Sequence, residues 1–258
     1  MRPRIAIPLP HSLDREYAER AIPQYEHAVE QMGGEPVRLG MDLSSELKKH
    51  ELKKIIERCD GILLPGSKAD VDPAKFKALP SSHSASADNQ RESVDELLLE
   101  HAYQSGKPVL GICYGLQSLN VFRGGSLIQH IPDFLPEDLR TRVNHEAGRK
   151  IAVAHEVTIE SNSRLAEILC GENQLPGPAL KQPVNSSHHQ SADTIGDGLR
   201  IIARCPDDGI IEALEGTDPD HFVLAVQWHP ERSVDDDESS RAIFRSFIEA
   251  AKTAVKNA

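Results

Sequence analysis

The sequence contains no long apolar run and only four cysteines among its 258 residues. A membrane-spanning helix needs roughly 18 consecutive apolar residues, and no segment comes near that length. The apolar run near the N-terminus is short and is interrupted by Pro3 and Pro8, which is not the pattern of a secretory signal peptide. We therefore expect neither a membrane partner nor a secretory signal.

The four cysteines are scattered along the chain. Cys59, Cys113, Cys170 and Cys205 lie far apart, and no two of them form a Cys-x-x-Cys pair. This spacing argues against a zinc knuckle and against a disulfide scaffold. We therefore expect a cytoplasmic protein in a reducing compartment.

The chain also has no excess of positive charge. Its 29 Lys and Arg residues are outnumbered by 40 Asp and Glu residues, which gives a formal net charge of -11. An acidic protein does not attract phosphate backbones or anionic lipids, so nucleic acid is not an expected partner. The basic pairs Lys48–Lys49 and Lys53–Lys54 lie among glutamates, and we interpret them as the solvated face of a helix.

The order of apolar segments predicts an α/β fold. In the first half, short apolar strands alternate with amphipathic helices, which is typical of a parallel sheet covered by helices on both faces. In the second half, apolar runs follow one another with few helices between them, which indicates added antiparallel or mixed strands. The chain is long enough for one such domain over residues 1–258.

The periodicity also predicts where these elements lie. Strands are expected over residues 4–8, 36–39, 60–64, 108–112, 155–160, 199–204, 210–214 and 222–228. Helices are expected to end near residue 32 and to cover 44–58, 91–104, 114–122 and 233–255, with a Ser- and Ala-rich loop over 78–90. In the second helix we expect Leu47, Leu52, Ile55 and Ile56 to face inward, and in the last helix we expect the acidic run from Asp235 to Glu238 in the first turn.

A cysteine stands where a strand is predicted to turn into a helix. Gly111 and Gly115 flank Cys113 at two residues on either side, which is the spacing of a strained nucleophile elbow. A helix N-terminus lowers the pKa of a thiol, so Cys113 is a candidate nucleophile. The backbone N–H of Tyr114 and one from the Gly66–Ser67 turn are candidate oxyanion donors. The alternative is a buried structural cysteine.

A second motif follows the last predicted strand. His229 and Glu231 are two residues apart, and residues at that spacing on an extended chain point to the same side. The carboxylate can then orient the imidazole as a general base for Cys113, which completes a Cys–His–Glu triad. Pro230 removes a backbone donor and ends the strand. The alternative is an exposed ion pair at the end of a strand.

These motifs resemble those of the class I glutamine amidotransferase family. The resemblance to one branch, the γ-glutamyl-γ-aminobutyrate hydrolases or peptidase C26 group, extends over nearly the whole chain. The segments that carry it are residues 25–29, 33–36, 64–73, 111–117, 120–125, 184–190 and 227–231. Among them, Asn185-Ser-Ser-His-His-Gln190 favours the hydrolase branch.

The resemblance implies a flavodoxin-like fold and a γ-glutamyl thioester on Cys113 that water hydrolyses. It also implies a small-molecule γ-glutamyl substrate, with Gln117, Ser187 and His188 at its glutamyl end and no cofactor. A polar loop is the alternative for His188 and His189, and no third ligand at a recognisable spacing suggests a metal there. A homodimer is one arrangement that the sequence leaves open.

Three departures from the hydrolase pattern lie near the expected leaving group. Tyr114 stands where that branch often has arginine, the oxyanion turn reads Gly66–Ser67 rather than two glycines, and the following helix carries Arg91 and Asp95 in an altered motif. The amine half of the substrate therefore stays open. The two rival functions are a glutaminase subunit that delivers ammonia to a separate synthetase and a non-catalytic amidotransferase-like binding module.

Overall fold

Short apolar segments form the strands of this protein, and longer amphipathic segments form its helices. The computed structural model describes residues 2–170 and 179–257. In chain order the elements are β1 (Arg4–Pro8), α1 (Arg15–Gln31), β2 (Glu35–Leu39), α2 (Glu46–Glu57), β3 (Gly61–Leu64), α3 (Asn89–Ser105), β4 (Val109–Ile112), α4 (Tyr114–Phe122), β5 (Leu127–Ile128), α5 (Ile131–Phe134), β6 (His155–Glu160), α6 (Arg164–Cys170), β7 (Ala179–Val184), β8 (Ser191–Ala192), β9 (Leu199–Arg204), β10 (Ile211–Gly216), β11 (Val223–Val226) and α7 (Glu238–Asn257).

Over the described ranges, the main sheet has nine strands in the order β2-β1-β3-β4-β11-β10-β9-β6-β7. The first five strands of this order run parallel, and the last four join them through antiparallel pairs. The expected α/β class, with a mostly parallel first half and antiparallel strands added in the second, is confirmed. A separate short ribbon pairs β5 with β8.

The core lies on both faces of the sheet. Along β1, Ile5 and Ile7 pack on the side that α1 and α7 cover, while Ala6 packs on the side of α2, α3 and α4. The central strands β3, β4 and β11 are buried at every residue, which explains why they read as continuous apolar runs rather than as alternating ones.

Two details of the helices differ from the predictions. In α2, Leu52 and Ile56 are buried, but Leu47 and Ile55 are 66% and 40% exposed, so the face that packs on the sheet is narrower than expected. The final helix begins at Glu238 rather than near residue 233, because the preceding residues form turns. Glu238 therefore lies in the first turn as predicted, whereas Asp235 and Asp236 precede the helix. Asp237 caps the helix by accepting from the backbone N–H groups of residues 239 and 240 at 3.2 and 2.9 Å.

Three neighbouring parallel strands end at the same edge of the sheet. Strand β4 lies between β3 and β11, with Gly111 opposite both Leu64 and Ala225. The residues that follow these strands therefore emerge side by side, where ligands bind in sheets of this kind. Among the described helices, none has the length and apolar character needed to span a bilayer.

Candidate active site

Cys113 occupies a sharp turn between β4 and α4. Its backbone has φ 53° and ψ -105°, a region that residues other than glycine rarely adopt. The flanking glycines allow the turn to pack closely: a Cβ on Gly115 would lie 2.2 Å from the Leu64 carbonyl oxygen, and one on Gly111 would lie 2.9 Å from the backbone of residue 115. The elbow therefore depends on both glycines for close packing.

His229 and Glu231 form a buried pair after β11. The His229 Nδ1 and Glu231 Oε1 atoms are 2.8 Å apart, and both residues are 3% exposed. The side chain of Asn185 fixes the backbone of His229 by accepting from its N–H and donating to its carbonyl, each at 2.9 Å. The pair does not form along an extended chain as predicted, because Pro230 starts a short 3-10 helix that folds Glu231 back toward the ring.

Cys113 and His229 converge beside Gly66, which follows β3. A Cβ built on Gly66 would lie 3.0 Å from His229 Cε1 and 3.6 Å from Cys113 Cβ. Both residues line a cavity of about 270 Å³. With Nδ1 held by Glu231, Nε2 is the ring nitrogen left for exchange of a proton with the thiol. The structure thus brings together the two groups that the sequence places far apart.

The electrostatics of this group differ from the expectation of a resting thiolate. Burial raises the pKa of Cys113 to about 12, and the Glu231 charge adds to that effect while Arg232 opposes it. Burial lowers the pKa of His229, against the opposing effect of Glu231. Desolvation outweighs the field of the helix N-terminus here, so burial favours the neutral thiol and the neutral imidazole.

A comparison with known proteins assigns this chain to a family. The family model described as peptidase C26 matches residues 9–231. The chain belongs to the peptidase C26 family. A gamma-glutamyl-gamma-aminobutyrate hydrolase of Escherichia coli O157:H7 is 33% identical over 233 residues, which are 89% of this chain and 85% of that protein. Membership of peptidase C26 supports a hydrolytic enzyme.

More distant similarities agree with the fold. A glutamine amidotransferase-like protein of Rickettsia prowazekii is 29% identical over 262 residues, with 88% of each chain covered. The crystal structure of a Thermoplasma acidophilum protein, described as a GMP synthase subunit, matches with a TM-score of 0.65 over 100% of this chain and 98% of that one. Its sequence is 14% identical, so this likeness concerns the peptidase C26 fold alone.

Two of the three predicted oxyanion residues of this peptidase C26 member, Ser67 and Tyr114, line the cavity. The backbone N–H of Tyr114 is directed at the Cys113 sulfur, where it lowers the pKa of the thiol. The Gly66 N–H instead donates to the Tyr25 hydroxyl at 3.0 Å, because that phenol from α1 reaches under the turn. The prediction for this turn therefore narrows to the N–H of Ser67, which also lines the cavity.

Of the predicted substrate residues, Gln117 forms part of a chain of amides. Its Nε2 donates to the Gln190 carbonyl at 3.2 Å and to Gln227 Oε1 at 3.3 Å, and Gln227 Nε2 donates to Cys113 Sγ at 3.4 Å. Gln227 is a site residue that the sequence analysis did not assign. Its position directly after β11 and two residues before His229 was the available signal.

The loop from residue 185 to residue 190 forms another wall of the cavity. Ser187 and His189 line it, and His189 Nε2 lies 2.9 Å from Asp70 Oδ1, whose carboxylate raises the pKa of His189. His188 also lines the cavity, but its ring nitrogens face protein atoms: Nδ1 lies 2.9 Å from the Gln190 carbonyl and Nε2 points at Glu212. Protein atoms therefore hold the His188 ring, and the place of His188 at the glutamyl end of the substrate stays a prediction.

Basic side chains line the cavity although the whole chain is acidic. Arg20, Lys68, Arg149 and Arg232 all contribute to the lining. Within the described ranges, the buried Nε and Nη1 atoms of Arg232 have no hydrogen-bond partner. The Arg232 Nε atom lies 3.6 Å from Glu231 Oε1, so this guanidinium faces the His229–Glu231 pair as well as the cavity. The composition of the chain did not suggest this local positive charge.

Arg91 contacts both the Gly66–Ser67 turn and the Cys113 elbow through their neighbouring residues. It is fully buried, donates to Asp95 Oδ1 and to the Pro65 carbonyl at 2.7 Å each, and lies over the Tyr114 ring at 4.9 Å. Tyr114 and the altered helix motif, two of the three departures from the hydrolase pattern, are thus in contact through Arg91. They hold the segments that carry the predicted oxyanion donors.

Proposed function

We propose that this protein hydrolyses γ-glutamyl amides through a thioester on Cys113. The observation that carries the proposal is the convergence of the strained Cys113 elbow and the Glu231-oriented His229 ring beside Gly66, in one cavity. A nucleophile, a base and a residue that orients the base form the arrangement that acyl transfer requires.

The reaction starts from the neutral pair. As Cys113 Sγ attacks the γ-carbonyl carbon, His229 Nε2 accepts the thiol proton and the carbonyl electrons move onto oxygen. The Tyr114 N–H and the Ser67 N–H donate to that oxyanion. When the C–N bond breaks, His229 returns the proton to the leaving amine, and the γ-glutamyl group remains on sulfur as a thioester.

Water completes the cycle. His229 accepts a proton from the water that attacks the thioester, the C–S bond breaks, and the sulfur recovers its proton as glutamate leaves. Glu231 stays ionised throughout, because the facing His229 keeps its pKa lowered even though burial opposes this. Its role is to hold the ring and to stabilise the imidazolium that forms in each half-reaction.

The charges of the cavity support an anionic substrate. A γ-glutamyl amide carries an α-carboxylate, and the Arg232 guanidinium, which lines the cavity beside Glu231, is suited to bind it. A leaving group with its own carboxylate, such as γ-aminobutyrate, would find Arg20 and Arg149 along the same cavity. The activity for which the Escherichia coli relative is named also makes γ-glutamyl-γ-aminobutyrate the first substrate to try.

A substrate panel tests the proposal. Purified full-length protein is incubated with γ-glutamyl-γ-aminobutyrate, other γ-glutamyl amines and glutamine, and the release of glutamate is measured. We expect a γ-glutamyl amine to be preferred and Cys113→Ala to abolish turnover. Cys59→Ala is the matched control, since it removes another buried thiol away from the cavity.

Each other outcome names a different function. A preference for glutamine, with release of ammonia, would favour the glutaminase rival. An absence of turnover on every substrate, together with no acylation of Cys113 detected by mass spectrometry, would favour a binding module. Full activity in Cys113→Ala would refute the thioester mechanism.

A further inference from the structure

Four buried side chains converge in the antiparallel half of the molecule. The cluster consists of His145 from the loop after α5, His155 at the start of β6, His188 from the loop after β7, and Glu212 on β10. They are 5%, 8%, 5% and 0% exposed. We call this group the imidazole cluster, and the proposed hydrolysis does not use it.

The distances between the inward atoms of the imidazole cluster are longer than those of ordinary hydrogen bonds. Glu212 Oε1 lies 3.3 Å from His145 Nδ1, 3.5 Å from His155 Nε2 and 3.6 Å from His188 Nε2. In the part of the chain that the structure describes, none of these four atoms has a hydrogen-bond partner. Four buried polar atoms without partners are costly in any fold.

The other nitrogen of each ring makes a short contact to an acceptor. His145 Nε2 lies 2.8 Å from Asp208 Oδ2, and His155 Nδ1 lies 3.0 Å from the Glu156 carbonyl. His188 Nδ1 lies 2.9 Å from the Gln190 carbonyl. A neutral imidazole whose outward nitrogen donates a proton has a lone pair on its inward nitrogen. Three lone pairs and a carboxylate oxygen then face one another.

This arrangement matches a metal site both in the spacing of its ligand atoms and in the hydrogen bonds that hold the ligands. Tetrahedral zinc, with ligands at 2.0–2.1 Å, separates neighbouring ligand atoms by about 3.3–3.4 Å. The three distances from Glu212 Oε1 to the imidazole nitrogens are close to this value, and all four atoms lie within 4.8 Å of one another. Metal-binding histidines also donate their other N–H to a carboxylate or a backbone carbonyl, as all three rings here can do.

We propose that His145, His155, His188 and Glu212 bind one divalent transition-metal ion, with zinc as the best fit. Three imidazoles and one carboxylate suit zinc better than magnesium or calcium, which prefer oxygen ligands. Four protein ligands form a closed site of the structural kind. The ion joins β6 and β10 to the two loops and fixes the cavity wall that carries Ser187 and His189. This proposal does not depend on the hydrolytic function.

The sequence predicts no metal site, because no third ligand stands at a recognisable spacing from the His188–His189 pair. The ligands come instead from four separate segments, and His189 is directed away to Asp70. Two of the ligands lie on strands, where a lone histidine or glutamate in an apolar run reads as an ordinary core residue.

Metal analysis of the purified full-length protein tests the site. After incubation with Zn²⁺ and removal of free metal, we expect about one tightly held ion per chain by plasma mass spectrometry. The variants His155→Ala and Glu212→Gln should lose it. His83→Ala is the matched control, because His83, His130 and Asp133 also lie within ligand distance of one another but on the exposed surface.

Cobalt gives a second readout that does not need these variants to fold. Co²⁺ bound to the wild-type chain should show the intense visible bands of tetrahedral cobalt, and X-ray absorption should show nitrogen and oxygen ligands without sulfur. Asp208→Asn, which keeps the ligands but alters the hydrogen bond to His145, should weaken metal affinity about 10- to 100-fold.

Three results would overturn the proposal. The wild-type chain could retain no ion after exposure to zinc, cobalt, nickel and manganese, which would mean that protons alone occupy the cluster. The ion could be lost in His83→Ala and kept in Glu212→Gln, which would place it at the surface. Sulfur could be found among the ligands, which would point to the neighbouring group formed by Cys205, Asp208 and one imidazole nitrogen of His145.

Discussion

The two halves of the sheet organise polar groups in opposite ways. In the parallel half, Cys113 and His229 stand just beyond strand ends and face an open cavity of about 270 Å³. In the antiparallel half, His155 and Glu212 lie on the strands themselves, and their inward atoms face one another without solvent. Groups at strand ends can exchange protons with a substrate, whereas groups enclosed between strands and loops are suited to a fixed ion.

The largest effect should come from replacing His229, the proposed general base of the triad. We expect His229→Asn to lower kcat/KM for the best γ-glutamyl amide by roughly 10⁴-fold or more, since members of a triad act as a unit. Steady-state kinetics and a thermal unfolding curve check this. A retained kcat/KM would show that another base serves Cys113, and an unchanged melting temperature would confirm that the loss is chemical.

A smaller loss of activity should follow from adding a methyl group at Gly66, which crowds Cys113 and His229 without replacing either. A Cβ at Gly66 would lie 3.0 Å from His229 Cε1 and 3.1 Å from the Tyr25 hydroxyl, so Gly66→Ala must displace one of them. We expect kcat to fall, but by less than the roughly 10²-fold that follows a misplacement near 1 Å, because the neighbours need to move only a fraction of that distance. Gly40→Ala is the control, because nothing lies within 4 Å of its added Cβ. Equal activity in both variants would contradict the assigned geometry.

Arg232 should separate binding from chemistry. We expect Arg232→Gln to raise KM about 10-fold for a substrate with a free α-carboxylate, since one charge-assisted hydrogen bond contributes about 1.5–3 kcal/mol. The same variant should change KM little for a substrate whose α-carboxylate is amidated. Similar changes for both substrates would mean that Arg232 does not contact this group.

The pH profile should distinguish a neutral pair from an ion pair. Burial lowers the pKa of His229 and raises that of Cys113 to about 12, so the active imidazole is already neutral at neutral pH. We expect kcat/KM to rise with pH along an acid limb whose midpoint lies below about 6.5 and then to stay level. A resting thiolate–imidazolium pair would instead make kcat/KM fall as pH rises through neutrality.

The smallest effect should be that of a substitution in the active-site cavity on the metal content of the imidazole cluster. Cys113→Ala should retain the same metal content as the wild type within about 10%, because Cys113 is not a ligand of the closed site. Metal analysis of the two proteins, purified in parallel, checks this. A metal content that falls with the thiol would show that the two halves form one site.

The sequence predicted the parallel half better than the antiparallel half, for a physical reason. Strands β3, β4 and β11 are buried on both faces and read as continuous apolar runs, and the residues after them form contiguous motifs around Cys113 and His229. Edge strand β7 alternates between exposed and partly buried residues, so its apolar signal was too weak to predict it.

Other features depended on packing that no local pattern encodes. The Gly66 N–H is directed to Tyr25 because α1 packs beneath the turn, and the pKa of Cys113 is set by its enclosure rather than by the helix it precedes. Residues such as Arg91 and Arg232 gain their roles from neighbours distant in sequence. Burial and long-range contacts decide these points, and both emerge only with the fold.

The positive φ of Cys113 has a consequence for the evolution of this chain. A non-glycine residue held in such a region costs of order 1–3 kcal/mol, a considerable share of the roughly 5–15 kcal/mol that typically keeps a domain folded. Selection for stability alone would favour glycine at position 113. Under the proposed mechanism, the thiol at this turn lowers the stability of the fold in return for reactivity. A substitution that relieves the strain, such as Cys113→Gly, would therefore stabilise the fold and remove the proposed activity.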